Sequence, residues 1–205
     1  LSRGLGDVYK RQDEYPYGQW DYMFFYLDNF ELVLDQMEED LEKFLAITFR
    51  RPSDETISMF NTAKGYKSPT ALITKNGGWF RQDGYVGLNS MPEIAFDEQI
   101  FSDDKAQFYI DTFKKNGLRG PNSWYMNGSK NDDYAKELGG FTTITKPVLF
   151  IAGENDSVLT PETNSHNAMA CTNLTEKSLP TGHWMAMEKP LETNKLIFDW
   201  LNSNF

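Results

Sequence analysis

Cysteine is nearly absent from this 205-residue chain, in which Cys171 is the only example. An internal disulfide framework is therefore excluded, and so is a zinc site built from several cysteines. A single thiol is compatible with a reducing compartment. We accordingly expect a cytoplasmic protein.

Positive charge and long apolar runs are also scarce. The chain has 20 Lys and Arg against 30 Asp and Glu, which gives a formal charge of -10. This balance argues against a nucleic-acid partner or an anionic membrane surface, because both require clustered basic side chains. No apolar run approaches the ~20 residues of a membrane-spanning helix. What the chain does have is 40% hydrophobic and 15% aromatic residues, which predicts a globular protein with a sizeable core.

The first twelve residues, LSRGLGDVYKRQ, are followed by the aromatic stretch DEYPYGQWDYMFFY without a turn or cap signal. Residues 2–12 back-translate, without a mismatch, into DNA that resembles a transposase-type sequencing-library adapter. Segments of such origin are set aside before the fold is considered. We expect the natural sequence to start near Asp13, with its true beginning missing.

Residues 13–138 are predicted to be mostly helical with long loops. Apolar residues three or four apart predict one helix over residues 29–50 with a single buried stripe. Residues 102–115 predict a second helix, stopped by Asn116-Gly117, and the glycines of residues 65–90 indicate a loop. The stripe of the first helix consists of Leu34, Met37, Leu41, Phe44 and Leu45.

Residues 139–205 are predicted to alternate strands and helices, which indicates a parallel α/β arrangement. The run VLFI reads as a strand covered on both faces, and residues 174–179 form a second candidate strand. A helix is expected from Pro161 to Cys171, and a terminal helix follows Pro190. Two parallel strands do not make a stable sheet alone, so we predict the end of a larger sheet. The expected apolar face of the terminal helix consists of Leu196, Ile197, Trp200 and Leu201.

Asp156 and His183 each follow one of the two predicted strands. Side chains beyond the carboxyl ends of neighbouring parallel strands line the ligand crevice of open α/β sheets. A carboxylate that orients an imidazole makes it a general base. From position alone, a solvated Asp and a structural His remain the alternative interpretation.

Three stretches carry a resemblance to a known family: KPVLFIAGENDSVLTPE, PTGHWMAMEKP and RGPNSWYMN. Together they resemble the α/β-hydrolase family and, within it, the epoxide hydrolases. The resemblance implies a partial α/β-hydrolase fold. Residues 13–138 would form a helical cap, residues 139–205 would supply the last two parallel strands and helices of the core, and the N-terminal core would be missing.

The resemblance also implies a chemistry, in which a small apolar epoxide and water give a vicinal diol through an alkyl-enzyme ester, with no cofactor or metal. His183 would activate the water, Asp156 would orient His183, and Tyr125 and Tyr22 would donate protons to the epoxide oxygen. Tyr26, four residues after Tyr22 in WDYMFFY, remains an alternative to Tyr22.

The chain departs from the family pattern in lacking a nucleophile in a recognisable context. It contains no G-x-S-x-G elbow, and residues 13–145 offer no Asp, Ser or Cys in a strand–turn–helix setting. We expect the nucleophile to be encoded before Asp13 and the chain alone to be inactive. A haloalkane or haloacid dehalogenase or an ester hydrolase of the same fold is the alternative function, a non-catalytic binding protein is a further one, and a homodimer remains open.

Overall fold

The chain forms two compact units, which are described separately. We call residues 20–50 and 94–129 the tyrosine unit, and residues 51–54 and 130–205 the sheet unit. The computed structural model describes residues 20–54, 57, 94–139, 143–156, 158–159 and 167–205. The loop predicted over residues 65–90 lies outside these residues, as does the beginning of the helix predicted from Pro161. The predicted domain boundary after residue 138 stays a prediction.

The tyrosine unit is helical, as expected. The predicted second helix is confirmed as α4, after which Gly117 adopts a positive φ of 70° that favours glycine over residues with a Cβ. A 3-10 turn over Trp124–Asn127 follows the last of the five helices described in this unit. These helices are α1 (Asp21–Asp28), α2 (Phe30–Glu39), α3 (Leu41–Thr48), α4 (Asp103–Asn116) and α5 (Arg119–Ser123).

The single helix predicted over residues 29–50 is wrong, because Asp40 divides it into α2 and α3. Asp40 leaves the helical conformation (φ -133°, ψ 70°), and its Oδ1 accepts a hydrogen bond from the backbone N–H of Lys43 at 3.1 Å. A short carboxylate that caps a backbone donor favours a helix start over a helix interior. The apolar spacing continues across the break, and Leu41 and Leu45 remain buried.

An apolar core holds these helices together. Val33 and Leu45 are almost completely buried, and Phe44 of the predicted stripe packs at the margin of the cluster. Burial of apolar area on this scale is the main favourable term in folding. The core cluster consists of Tyr26, Val33, Leu34, Met37, Leu41, Leu45, Ile110 and Leu118.

The predicted strands of the sheet unit are confirmed. They pair in parallel, with Val148 opposite Leu174 and Gly153 opposite Leu179. Helix α6 (Gly128–Glu137) precedes them in the chain. The remaining elements are β1 (Val148–Gly153), α7 (Asn167–Ala170), β2 (Leu174–Leu179), α8 (Met185–Glu188) and α9 (Pro190–Asn204).

Two burial predictions in the sheet unit are only partly correct. Strand β1 was expected to be covered on both faces, yet only Gly153 is fully buried, because the described residues form a sheet of just two strands. On α9, Thr193 is buried, whereas Ile197 and Leu201 are 40% and 44% exposed. These two residues lie about 100° further round the helix from Leu196 and Trp200, since successive residues are rotated by that angle.

Within the described part of the chain, no helix has both the length and the apolar character required to cross a membrane.

Candidate active site

The ends of the two strands bring Asp156 and His183 together. Gly153 ends β1 and pairs with Leu179, which ends β2. Asp156 lies three residues beyond the first strand and His183 four residues beyond the second. The Nδ1 of His183 is 3.0 Å from the Oδ2 of Asp156. The two residues singled out in the sequence therefore form a carboxylate–imidazole pair at the carboxyl edge of the sheet.

Both oxygens of Asp156 are engaged. While Oδ2 contacts His183, Oδ1 accepts hydrogen bonds from the backbone N–H groups of Val158 (2.8 Å) and Leu159 (2.9 Å). These bonds fix the rotation of the carboxylate. Since a carboxylate accepts a hydrogen bond from Nδ1–H, the partnership favours the tautomer in which Nε2 carries the lone pair, which is the form a general base requires.

The electrostatics of the pair keep Asp156 ionised. Burial is the largest single influence and acts against the charged form. The hydrogen bond with His183, the two backbone N–H donors and the attraction to His183 together outweigh it, so the pKa of Asp156 lies below its ordinary value. The side chain of Asp156 is only 9% exposed, whereas that of His183 is 37% exposed. The imidazole is thus accessible while the acid behind it is shielded.

The loops after the two strands are joined to each other. The backbone N–H of Asn155 donates to the carbonyl of Thr181 at 2.9 Å, and the N–H of Glu154 donates to the carbonyl of Leu179 at 2.9 Å. A Cβ on Gly153 would lie 2.4 Å from the carbonyl oxygen of Gly182, a distance that real Cβ atoms do not tolerate. Glycine at position 153 therefore permits the close approach that brings the acid to the base.

In the tyrosine unit, three tyrosine rings form a triangle. Tyr22 and Tyr26 are one turn apart on α1, and Tyr125 comes from the 3-10 turn after α5. The centroid distances are 5.5 Å for Tyr22–Tyr125, 5.2 Å for Tyr26–Tyr125 and 5.6 Å for Tyr22–Tyr26, each pair being nearly perpendicular. Edge-to-face contacts of this kind stabilise aromatic pairs beyond the burial of their area.

Helix α2 anchors the segment that carries Tyr125. The Oε1 of Glu38 accepts a hydrogen bond from the backbone N–H of Leu118 at 2.6 Å, where α5 begins. Buried Asn122 donates to the carbonyl of Leu118 at 3.0 Å and contacts the sulfur of Met37 at 3.6 Å. Since Leu118 and Asn122 are buried, these contacts fix where the 3-10 turn leaves the helix.

The environments of the three phenols differ. Burial raises the pKa of Tyr22, and its interaction and hydrogen bond with Tyr125 raise the pKa further. Burial likewise raises the pKa of Tyr26, which is only 7% exposed. Tyr22 and Tyr125 are half-buried. Both phenols with a raised pKa stay protonated at neutral pH, and the pair Tyr22–Tyr125 shares a hydrogen bond while retaining access to solvent.

The four residues predicted for the site thus fall into two groups, one in each unit. Glu188, whose carboxylate contacts the loop around His183, was not among the residues predicted from the sequence. The available signal was its place four residues after Trp184 in GHWMAMEKP, where a side chain can reach back to the start of a short helix. Among the residues described, no cluster of three or more His, Cys, Asp or Glu could hold a metal ion.

Comparison with curated proteins identifies epoxide hydrolases as relatives. The chain is 30% identical over 171 residues to bifunctional epoxide hydrolase 2 of Sus scrofa, a match that covers 82% of this chain and 27% of that protein. It is 31% identical over 121 residues to epoxide hydrolase A of Mycobacterium tuberculosis, covering 58% of this chain and 37% of the relative. The chain thus spans about a quarter to a third of the length of these relatives. No family model matches the chain.

Solved structures show the same fold. A crystal structure of epoxide hydrolase A from Mycobacterium thermoresistibile superposes with a TM-score of 0.66 at 23% identity, covering 88% of this chain and 51% of that one. An evolved variant of potato epoxide hydrolase gives a TM-score of 0.58 at 18% identity, covering 96% and 56%. Both neighbours have the α/β-hydrolase fold, and the parallel sheet and helices described above are a part of it.

Proposed function

Since this chain has a partial α/β-hydrolase fold and is similar to epoxide hydrolases over most of its length, we propose that it belongs to an enzyme that hydrolyses epoxides to vicinal diols. The observation that carries the proposal is the hydrogen-bonded pair of half-buried phenols, Tyr22 and Tyr125. An epoxide opens to an alkoxide, a poor leaving group that needs a proton. Neutral phenols within hydrogen-bond reach supply it.

In the first step, a carboxylate nucleophile attacks one epoxide carbon. A C–O bond to the enzyme forms, the C–O bond of the ring breaks, and the electron pair of that bond moves to the ring oxygen. Tyr22 and Tyr125 hold this oxygen by hydrogen bonds, and one of them transfers its proton. Because the pKa of Tyr22 is raised, the acid form persists across the neutral range.

In the second step, His183 takes a proton from water, and the resulting hydroxide attacks the carbonyl of the ester. The ester C–O bond breaks, and the leaving oxygen takes the remaining proton of the attacking hydroxide, so the carboxylate is regenerated and the diol leaves. The proton on His183 then returns to the tyrosine that was deprotonated in the first step. Asp156 has two functions here: it keeps the Nε2 lone pair available and it stabilises the imidazolium after proton transfer. Its lowered pKa suits both functions, since only the ionised form accepts from Nδ1–H.

The nucleophile is proposed to come from a segment that precedes Asp13 in the longer enzyme. The proposed base, its acid and the proposed proton donors all lie among the described residues. The chain of residues 13–205 expressed alone is therefore expected to show no epoxide turnover. Turnover of styrene oxide by that chain would contradict this part of the proposal.

Replacement of Tyr125 by Phe in the longer enzyme tests the function. The ring contacts with Tyr22 and Tyr26 are kept, while one proton donor is lost, so kcat for styrene oxide should fall about 100-fold. A dehalogenase releases a halide ion, and this leaving group needs no proton. If the enzyme were a dehalogenase, Tyr125→Phe would therefore leave its kcat nearly unchanged. Tyr134→Phe, on an exposed ring of α6, is the matched control and should leave kcat unchanged.

The choice between Tyr22 and Tyr26 is tested in the same assay. Tyr26 is buried and therefore less able to reach a substrate, so Tyr26→Phe should keep kcat within about threefold of the wild type. Tyr22→Phe should lower it as Tyr125→Phe does. A large effect of Tyr26→Phe together with a small effect of Tyr22→Phe would reverse the assignment. Equal small effects of Tyr22→Phe and Tyr125→Phe would overturn the proposed acid catalysis.

A further inference from the structure

The loop that carries His183 is held by a carboxylate outside the groups considered so far. Glu188, the last residue of α8, accepts two backbone hydrogen bonds: Oε2 from the N–H of Gly182 at 2.8 Å and Oε1 from the N–H of Trp184 at 3.2 Å. These N–H groups belong to the residues on either side of His183. One side chain thus binds the backbone immediately before and immediately after the imidazole.

The same loop is closely packed at Gly182. This residue is buried, and a Cβ placed on it would lie 2.5 Å from Cδ of Pro52 and 3.1 Å from Oε1 of Glu188. The proline ring and the carboxylate therefore both lie against Gly182 and leave no room for a side chain there. Glu188 is one of the two groups that confine the backbone at this point, so removal of its charge or length is expected to let the backbone shift.

The local chemistry makes these bonds stronger than average. A carboxylate that accepts from backbone N–H groups forms charge-assisted hydrogen bonds, which are roughly twice as strong as neutral ones. Glu188 is half-buried, so solvent competes less for its oxygens than at a fully exposed site. The two bonds also use both oxygens, which restricts rotation of the carboxylate as the two donors to Asp156 restrict that side chain.

From this geometry we propose that Glu188 is a positioning residue for the water-activating step, acting through His183 without contacting the substrate. The inference rests on the proposed function for its kinetic consequence. The contact of His183 Nδ1 with Asp156 spans 3.0 Å, and a shift of the loop by 1 Å would break it. Misplacements of this size cost on the order of 100-fold in rate even when the mutation is remote from the reacting atoms.

Glu188→Gln in the longer enzyme is the primary test. The side-chain amide keeps one acceptor oxygen and turns its NH2 toward the second backbone N–H, so one of the two bonds is lost. Glu192→Gln is the matched control, because it removes the same charge from an exposed carboxylate near the start of α9 that contacts Lys189 at 3.7 Å. Stopped-flow kinetics with styrene oxide separate ester formation from ester hydrolysis.

The expected result is a 10- to 100-fold slower ester hydrolysis in Glu188→Gln, ester formation within about twofold of the wild type, and no change in either step for Glu192→Gln. Glu188→Asp, which keeps both acceptors on a shorter side chain, should recover part of the loss. Hydrolysis within twofold of the wild type in Glu188→Gln would overturn the proposal, as would an equal loss in both steps.

A second measurement stands apart from catalysis. The proton between His183 and Asp156 is expected as a downfield resonance in the NMR spectrum of the wild type, and it should weaken or disappear in Glu188→Gln while exchange of the Gly182 and Trp184 amide protons accelerates. If the wild type does not hydrolyse epoxides, the proposed function fails, yet these signals still test the positioning. Unchanged resonance and exchange rates would refute it.

Discussion

The two units hold their candidate functional side chains by different means. Among the described residues, every buried apolar side chain lies in the tyrosine unit, where Tyr26 is part of the core itself. Buried polar residues occur in both units, Lys43 and Asn122 in the tyrosine unit and Thr181 and Thr193 in the sheet unit. In the sheet unit, Leu191 and Phe198 are mostly exposed. Asp156 and His183 are held by hydrogen bonds between loops.

This contrast indicates which changes each unit tolerates. Side chains placed by packing depend on the volume of their neighbours. Cores are close-packed, so a change in side-chain volume of even one methylene group alters the packing. Side chains placed by hydrogen bonds depend on single polar atoms, because one unpaired buried group is costly. The positions of the tyrosines should therefore be sensitive to truncation of core side chains. The Asp156–His183 pair should instead be sensitive to the replacement of one carboxylate oxygen by nitrogen.

The largest effect is expected for Asp156→Asn in the longer enzyme. The amide is uncharged and can also donate a hydrogen bond to Nδ1, so the tautomer with a proton on Nδ1 is no longer favoured. We expect kcat to fall about 1,000-fold or more. The ester should accumulate, detected as a mass increase equal to that of the epoxide in acid-quenched enzyme. Glu154→Gln, in the same loop but exposed and bonded to Ser178, should not accumulate ester. A normal kcat in Asp156→Asn would show that the pair is structural only.

Truncation of one leucine in each unit tests the difference in packing, and the expected effect is smaller than that of Asp156→Asn. Leu45→Ala removes a side chain that is 1% exposed and should lower the free energy of unfolding by about 3 kcal/mol. Leu191→Ala, at a side chain that is 80% exposed, should change it by less than about 0.5 kcal/mol. Urea denaturation of the two variants checks this, and equal losses would mean that the contrast in packing is not reflected in stability.

Acidification should give the smallest effect, through Asp156 of the sheet unit. The pKa of Asp156 in the folded chain lies below its value in the unfolded chain. Its ionised form therefore adds stability that is fully present above the unfolded value, ordinarily about 3.9, and is lost as the pH falls through the folded value. The difference in unfolding free energy between the wild type and Asp156→Asn should shrink as the pH is lowered from 7 to 3 in urea titrations. A constant difference would contradict the assignment.

The sequence predicted those parts of the fold that depend on local signals. The Asn116-Gly117 stop, the strand VLFI and the parallel pairing needed only chain-neighbour patterns and general rules of sheet geometry. The break at Asp40 was missed because the spacing of apolar residues continues across it. This spacing carries no information about a single carboxylate that caps a helix. The exposure of Ile197 and Leu201 was missed because the spacing of apolar residues predicts which face of α9 is apolar. It does not predict how much of that face the sheet covers.

For the candidate site, Asp156 and His183 could be predicted from the sequence, because residues that follow neighbouring parallel strands lie at the same edge of the sheet. The sequence left Tyr22 and Tyr26 unresolved, since both lie on one face of α1 and only burial distinguishes them. Glu188 was missed although its place four residues after Trp184 is a local signal, because the sequence does not show which backbone N–H groups its carboxylate reaches.

The triangle of tyrosine rings has a dynamic consequence. A ring flip about the Cβ–Cγ bond leaves the phenol oxygen in place, because the oxygen lies on the flip axis. Only rotation about χ1 displaces the oxygen, and each ring has the other two rings at centroid distances of 5.2–5.6 Å, where they obstruct such rotation. The hydroxyl groups of Tyr22 and Tyr125 can thus keep a constant position while their rings remain in motion.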